Sequence, residues 1–337
     1  SLEKLTVSRV GRRLRRNIRE QNVLVGSQTR RLALGRLAAA GGLLLAAPPV
    51  FGQVPEAPAV EPDDEPTSIA ITRQLFEHIT APVTINGLGP YRFMVDTGAN
   101  ASCVSSELAG KLALPAGREL QVHTIVGRRG RPSVVLDRLE IGNRVRKKVQ
   151  APVLPMSSFD IDGVLGIDWL KGQRLVMGFA GNTLEITKSR QEASAKGKVV
   201  VPARRKSGQL TIVDADISGR AISAMIDSGS QFSLGNAALR RLITKIDPTA
   251  AQRATHVGLI SIAGERFSGE QLYLPFIRLG GLNLGNVPVV FSDMPIFKLW
   301  DLHETPTIMI GIDLLTQFET VSVDFGRSAV RFDIANA

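Results

Sequence analysis

Two short tripeptides carry the chemistry that this sequence could perform, Asp96-Thr97-Gly98 and Asp227-Ser228-Gly229. Each closes an apolar run, residues 92–99 reading RFMVDTGA and residues 224–230 reading AMIDSGS. A lone Asp-Thr/Ser-Gly is ordinarily a turn; two copies in matched surroundings point to a pair of carboxylates acting together. Carboxylates held about 3 Å apart cannot both ionise, so they share one proton and titrate as a unit. An acid and a base then coexist at the same pH. The ionised carboxyl can take a proton from water while the protonated one donates to the carbonyl oxygen of a peptide bond, without metal or covalent nucleophile. Gly98 and Gly229 permit sharp turns and close approach, and the hydroxyls of Thr97 and Ser228 can bond across the pair to stiffen both loops. One residue past the second Gly stands Ser230, where the first copy has Ala99. A hydroxyl donated there would favour the charged form, which makes Asp227 the expected ionised partner and Asp96 the protonated one.

Such a pair must be presented by two equivalent elements, and the chain repeats accordingly. Asn86-Gly87 and Ser218-Gly219 are hairpin turns at matching distances before each Asp. After each Asp comes a short helical pattern, beginning near Ser106 and Asn236 and stopped by Pro115 and Pro248. Alternating segments broken by polar glycine turns come next at 127–130 and 263–266, then the hairpin turns at 139–142 and 277–280. Both halves next give apolar-apolar-Gly-Ile-Asp-x-Leu, at 164–170 and 309–315, and close with strand, glycine turn, strand at 175–186 and 321–332. This predicts an all-β protein of two homologous lobes, 69–190 and 205–337, joined by a basic linker at 191–204. A pseudo-twofold axis would bring the two carboxylates face to face. Asp168 and Asp313 recur as faithfully as the first pair, but each opens a short helical pattern, where a carboxylate favours the helix dipole, and they are read as structural.

On these paired motifs the chain resembles the aspartic proteases, and most closely bacterial retropepsin-like proteins that carry two retroviral-type lobes in tandem. The resemblance covers nearly everything after residue 68. It implies acid-protease-type β lobes with Asp96 and Asp227 as catalytic dyad, supported by Thr97, Gly98, Ala99, Ser228, Gly229 and Ser230. It implies further that Val164-Leu165-Gly166 and Met309-Ile310-Gly311 pack behind the active loops. The glycine-turn hairpins then correspond to flaps over an extended peptide, with Gly127, Arg128, Arg129, Gly130, Ala263 and Gly264 at their tips. Ala99 matches the retroviral pattern and Ser230 the pepsin-like one. The resemblance thus implies an endopeptidase with a protein or peptide substrate, no cofactor and no metal, acting as a monomer because both lobes lie in one chain. The apolar segments 122–126 and 257–262 suggest apolar side chains beside the cut. A non-catalytic exported peptide-binding protein is the alternative, and two mutually repelling carboxylates are of no use to it.

Charge and composition exclude other classes. Of 41 basic and 31 acidic residues, ten and two fall within the first 52 positions, leaving a nearly neutral body without a nucleic-acid footprint. The single cysteine, Cys103, excludes an intrachain disulfide and a cysteine-built metal site, and its apolar surroundings read as a buried, inert thiol. Residues 1–52 order a basic region, an apolar run and small residues as a secretory signal does, with cleavage before Gln53. The apolar run, 37–51, is shorter than the ~20 residues of a membrane-spanning helix, so no stable membrane anchor is expected. Thr29-Arg30-Arg31-Leu32 suits either a twin-arginine or a general export route, and a signal opening at Val25 would leave residues 1–24 untranslated. The proline- and acid-rich stretch 53–68 reads as a spacer, and the mature protein is expected to be periplasmic or secreted.

Overall fold

The loops that carry Asp96 and Asp227 are each the end of a hairpin whose turn the sequence dictates. At Asn86-Gly87 and Ser218-Gly219 all four residues have positive φ, between 52° and 81°, which glycine adopts freely and which suits the right-handed twist of a tight hairpin. The computed structural model describes residues 67–70, 79–191, 195–206 and 209–334. The expected signal, its basic region and the spacer up to Pro66 lie outside the described residues.

In the first lobe six strands close a barrel: Thr80–Ile85, Leu88–Val95, Gly163–Leu165, Cys103–Ser105, Arg144–Leu154 and Ser133–Ile141. The strand Leu88–Val95, which delivers Asp96, runs parallel to Gly163–Leu165; Cys103–Ser105 is antiparallel to the latter and parallel to Arg144–Leu154. The second lobe repeats this arrangement. Ser223–Ile226 is parallel to Thr307–Ile310, while Leu234–Gly235 is antiparallel to Thr307–Ile310 and parallel to Leu282–Phe291. A helix comes after the short strand in each copy, Ser106–Lys111 capped by Ser105 and Ala237–Ile246 capped by Asn236. Each cap side chain accepts the amide three residues on, at 3.0 and 2.8 Å, satisfying a donor that the first helical turn leaves free.

The lobes share a sheet that the repeat pattern does not announce. Its strands run in the order Thr67–Ala70, Thr183–Lys188, Gln173–Gly178, Thr320–Asp324, Ala329–Asp333 and Lys198–Lys206, with the closing hairpins of the two lobes paired edge to edge. Two expected boundaries shift in consequence. Residues 67 and 68 belong to a strand and not to the spacer, and residues 198–204 of the expected linker are a strand paired to both Ala329–Asp333 and Gln209–Ile212. Main-chain pairing places the basic run Ala203–Lys206 in the sheet; of the strand's side chains only Val201 is fully buried. One large apolar core runs through both lobes, from Ile79 and Phe93 to Val330 and Phe332.

Candidate active site

Each Asp is fixed by its own strand end and by the segment behind it. The Asp96 amide donates to Leu165 O at 2.9 Å and the Ile167 amide to Ala99 O at 2.8 Å; in the second lobe the Asp227 amide donates to Ile310 O at 3.0 Å and the Ile312 amide to Ser230 O at 2.9 Å. Gly166 and Gly311 are required because a Cβ would lie 2.7 Å from Ala99 O in one lobe and 2.5 Å from Phe232 O in the other. The apolar-apolar-Gly element therefore lies directly behind each active loop.

Between the lobes the two tripeptides interlock. Thr97 donates its hydroxyl to Ile226 O at 2.8 Å and its amide to Ser228 Oγ at 3.1 Å; Ser228 donates its hydroxyl to Val95 O at 2.8 Å and its amide to Thr97 Oγ1 at 3.0 Å. Both side chains are buried, so four bonds are made where water cannot compete. The glycines face the opposite carboxylates: a Cβ on Gly98 would stand 2.8 Å from Asp227 Oδ1, and one on Gly229 would stand 2.3 Å from Asp96 Cγ.

The Asp96 and Asp227 carboxyls hydrogen-bond to each other. Burial raises both above the ordinary carboxylate range, and the negative charge of Asp96 raises Asp227 further. Backbone amides offset part of the burial at both: Asp96 Oδ1 accepts Gly98 at 2.7 Å and Ala99 at 3.0 Å, and Asp227 accepts the amides of Gly229, at 3.0 Å, and of Ser230. The Ser230 hydroxyl, on which the expectation of an ionised Asp227 rested, donates to Phe232 O at 2.7 Å and not to Asp227.

Asp168 and Asp313 brace the loops from behind. Ser102 donates to Asp168 at 2.9 Å and accepts the Gly166 amide at 3.1 Å; Ser233 donates its hydroxyl to Asp313 at 2.7 Å and accepts the Gly311 amide at 3.0 Å. Among the described residues this arginine support is found in the first lobe alone, where the buried Arg146 pairs with Asp168 at 2.8 Å and lies over the Trp169 ring. Burial nonetheless pushes the Asp168 carboxyl up to about 6, with Arg146 opposing. The sequence motifs do not single out the two serines, although each lies six residues after its Asp. Gln209 has no such signal: from the second lobe it donates to Gly98 O and Asn100 Oδ1, both at 3.0 Å. Cys103 is buried, and burial raises its thiol far above the usual range.

Two hairpins pack beside the loops, Ile125 and Val257 against one cluster with Phe232, and Val122 and Ala263 in another with Ala99. The second, Thr255–Ile260 with Arg266–Leu279, turns at residues 261–265 and carries Ala263 and Gly264 at its tip. The first, Leu120–His123 with Arg128–Arg131, turns at 124–127, earlier than expected. Thr124 closes that turn: its amide donates to Gly127 O at 2.8 Å and its hydroxyl oxygen accepts the amides of Val126 and Gly127, both at 3.2 Å. Gly127 is therefore at the tip, whereas Arg128, Arg129 and Gly130 lie on the returning strand. Among the described residues no group of three His, Cys, Asp or Glu side chains converges as a metal site would require, and no helix is long and apolar enough to cross a membrane. In comparison with known proteins, a family model described as aspartyl protease matches residues 81–169 and 213–314, one stretch in each lobe. No curated protein matches the chain.

Proposed function

Because the chain belongs to the aspartyl protease family, we propose that it is an endopeptidase in which Asp96 and Asp227 activate one water molecule against a peptide bond. The mutual hydrogen bond of these two carboxyls, one from each lobe and both raised by burial, carries this reading. Asp96 takes a proton from water as the oxygen adds to the carbonyl carbon, and Asp227 gives its proton to the carbonyl oxygen. The resulting tetrahedral diol collapses when a diol proton returns to Asp227, the proton on Asp96 passes to the leaving nitrogen and the C–N bond breaks. The four buried bonds of Thr97 and Ser228 support this chemistry by keeping the carboxyls in register without reorganisation during the reaction. An extended segment would lie as a strand between the dyad and the hairpins.

The basic-apolar-small order of residues 1–52 supports export, with the protease acting outside the cytoplasm. The test is Asp96→Asn and Asp227→Asn, assayed on a peptide library with cleavage read by mass spectrometry. Each is expected to lower turnover by on the order of 10³-fold, the range of a lost general acid or base, with circular dichroism unchanged. A variant that kept more than a few per cent of wild-type turnover would remove that Asp from the mechanism. A wild-type chain that binds peptides without cutting them would favour the peptide-binding alternative.

A further inference from the structure

The tips of the two hairpins cross. Ile125, at the tip of the first, packs against a cluster of second-lobe side chains that includes Met225, Phe297 and Trp300. Ala263, at the tip of the second, is buried in a first-lobe cluster with Met94, Cys103 and Met156, and Ile262 packs against it. Gly264 lies under Pro155 of the first lobe, whose carbonyl oxygen would be 3.5 Å from an added Cβ. Each hairpin thus seats its apolar tip in the opposite lobe.

One carboxylate ties the crossing together. Glu265 Oε2 accepts the Thr124 hydroxyl at 2.7 Å and the Ser261 hydroxyl at 3.0 Å, and Oε1 accepts Arg129 Nε at 3.1 Å. Its side chain is only 13% exposed, against 68% for Arg129, so the acceptor is sheltered and the cation is not. Three donors from two hairpins converging on a sheltered carboxylate are more than a surface ion pair supplies, since an isolated exposed pair contributes little. Thr97 and Ser228 join the lobes at the two carboxyls and Glu265 joins the hairpins; on the protease reading an extended peptide would lie in the space between these two ties. A chain end could thread such a space, but an internal segment of a longer polypeptide could enter only after the roof parts.

We propose that Glu265 is a positioning residue of the cleft: through Thr124 and Arg129 it makes the two hairpins one roof, and its release admits internal segments of a polypeptide. This role rests on the chain being a protease. The test compares wild type with Glu265→Ala, Glu265→Gln and Thr124→Val by amide hydrogen exchange in the free protein, and by association of a non-cleavable peptide isostere in linear and head-to-tail cyclic form. Glu265→Ala is expected to speed exchange at least tenfold in both 120–131 and 255–266, leaving the barrel strands unchanged. It should raise the association and dissociation rates of the cyclic isostere three- to tenfold, with Kd within threefold and a smaller effect on the linear form. Glu265→Gln, which keeps an acceptor but loses the charge, should fall between, and added salt should move wild type towards it. Unchanged exchange in 120–131 would overturn the tie, and equal rate effects on the two forms would overturn its role in admission. A wild-type chain that neither cuts nor binds peptides would defeat the protease reading and the admission role together. The exchange data would still decide whether Glu265 joins the hairpins.

Discussion

A methyl group on Gly229 would sit 2.3 Å from Asp96 Cγ, and one on Gly98 would sit 2.8 Å from Asp227 Oδ1. Neither carboxylate can withdraw without breaking the pair, so Gly229→Ala and Gly98→Ala should each lose peptidase activity as fully as the Asp variants, measured as kcat at saturating peptide. Proton linkage gives a second prediction. Both dyad carboxyls lie above their unfolded value near 4, so the folded state holds a proton that the unfolded chain has lost. That contribution to stability is fully present below about pH 4 and is lost as pH rises through the raised values. The Tm of Asp227→Asn, relative to wild type, should therefore rise between pH 4 and 7; a constant difference would show that the pair is not proton-linked to folding. Ser230→Ala should leave the pH–rate profile in place, because that hydroxyl is spent on Phe232 O. The Asp pair and its Thr/Ser partners are legible in the sequence because both copies carry them at the same offsets. The acceptor of the Ser230 hydroxyl is not, since it depends on backbone carbonyls whose direction no residue type reveals.

The element behind each Asp loop is built the same way in both lobes and stabilised differently. Ser102 and Asp168 in the first lobe match Ser233 and Asp313 in the second, but among the described residues only Asp168 faces a buried arginine. Removing Asp168 strands the Arg146 charge in the protein, a loss of about 3–5 kcal/mol, whereas Asp313→Ala leaves unpaired hydrogen-bonding groups of Ser233 at about 1–3 kcal/mol. Urea unfolding of Asp168→Ala and Asp313→Ala measures the difference, and Arg146→Met combined with Asp168→Asn should recover part of the first loss. Equal costs in the two lobes would mean that Arg146 adds nothing. The recurrence of Asp168 and Asp313 is visible in the sequence, where helix dipoles offer a reason for it; their serine partners add a role in holding Gly166 and Gly311. Hairpin existence is similarly legible from alternation and glycine, but the first turn comes earlier than its glycines suggest because its closing residue is a threonine, Thr124, in an apolar stretch.

At the scale of the molecule, two lobes can be read from the repeat, whereas the sheet that joins them cannot. Its strands come from both closing hairpins and from segments at 67–70 and 198–206 with no period-two pattern strong enough to distinguish them from linker; the basic run Ala203–Lys206 is held there by main-chain pairing to Gln209–Ile212. With the pairing of Gln173–Gly178 to Thr320–Asp324 at its centre, the shared sheet holds the two carboxylate-bearing halves at a fixed effective concentration that no dilution can lower. Specific activity should then be constant over a thousandfold range of enzyme concentration. If the backbone is cleaved just after Gln191, reunion of halves that have separated becomes a second-order event. Initial rates should then stay linear in concentration while the nicked sheet holds, and turn towards its square once the halves part on dilution.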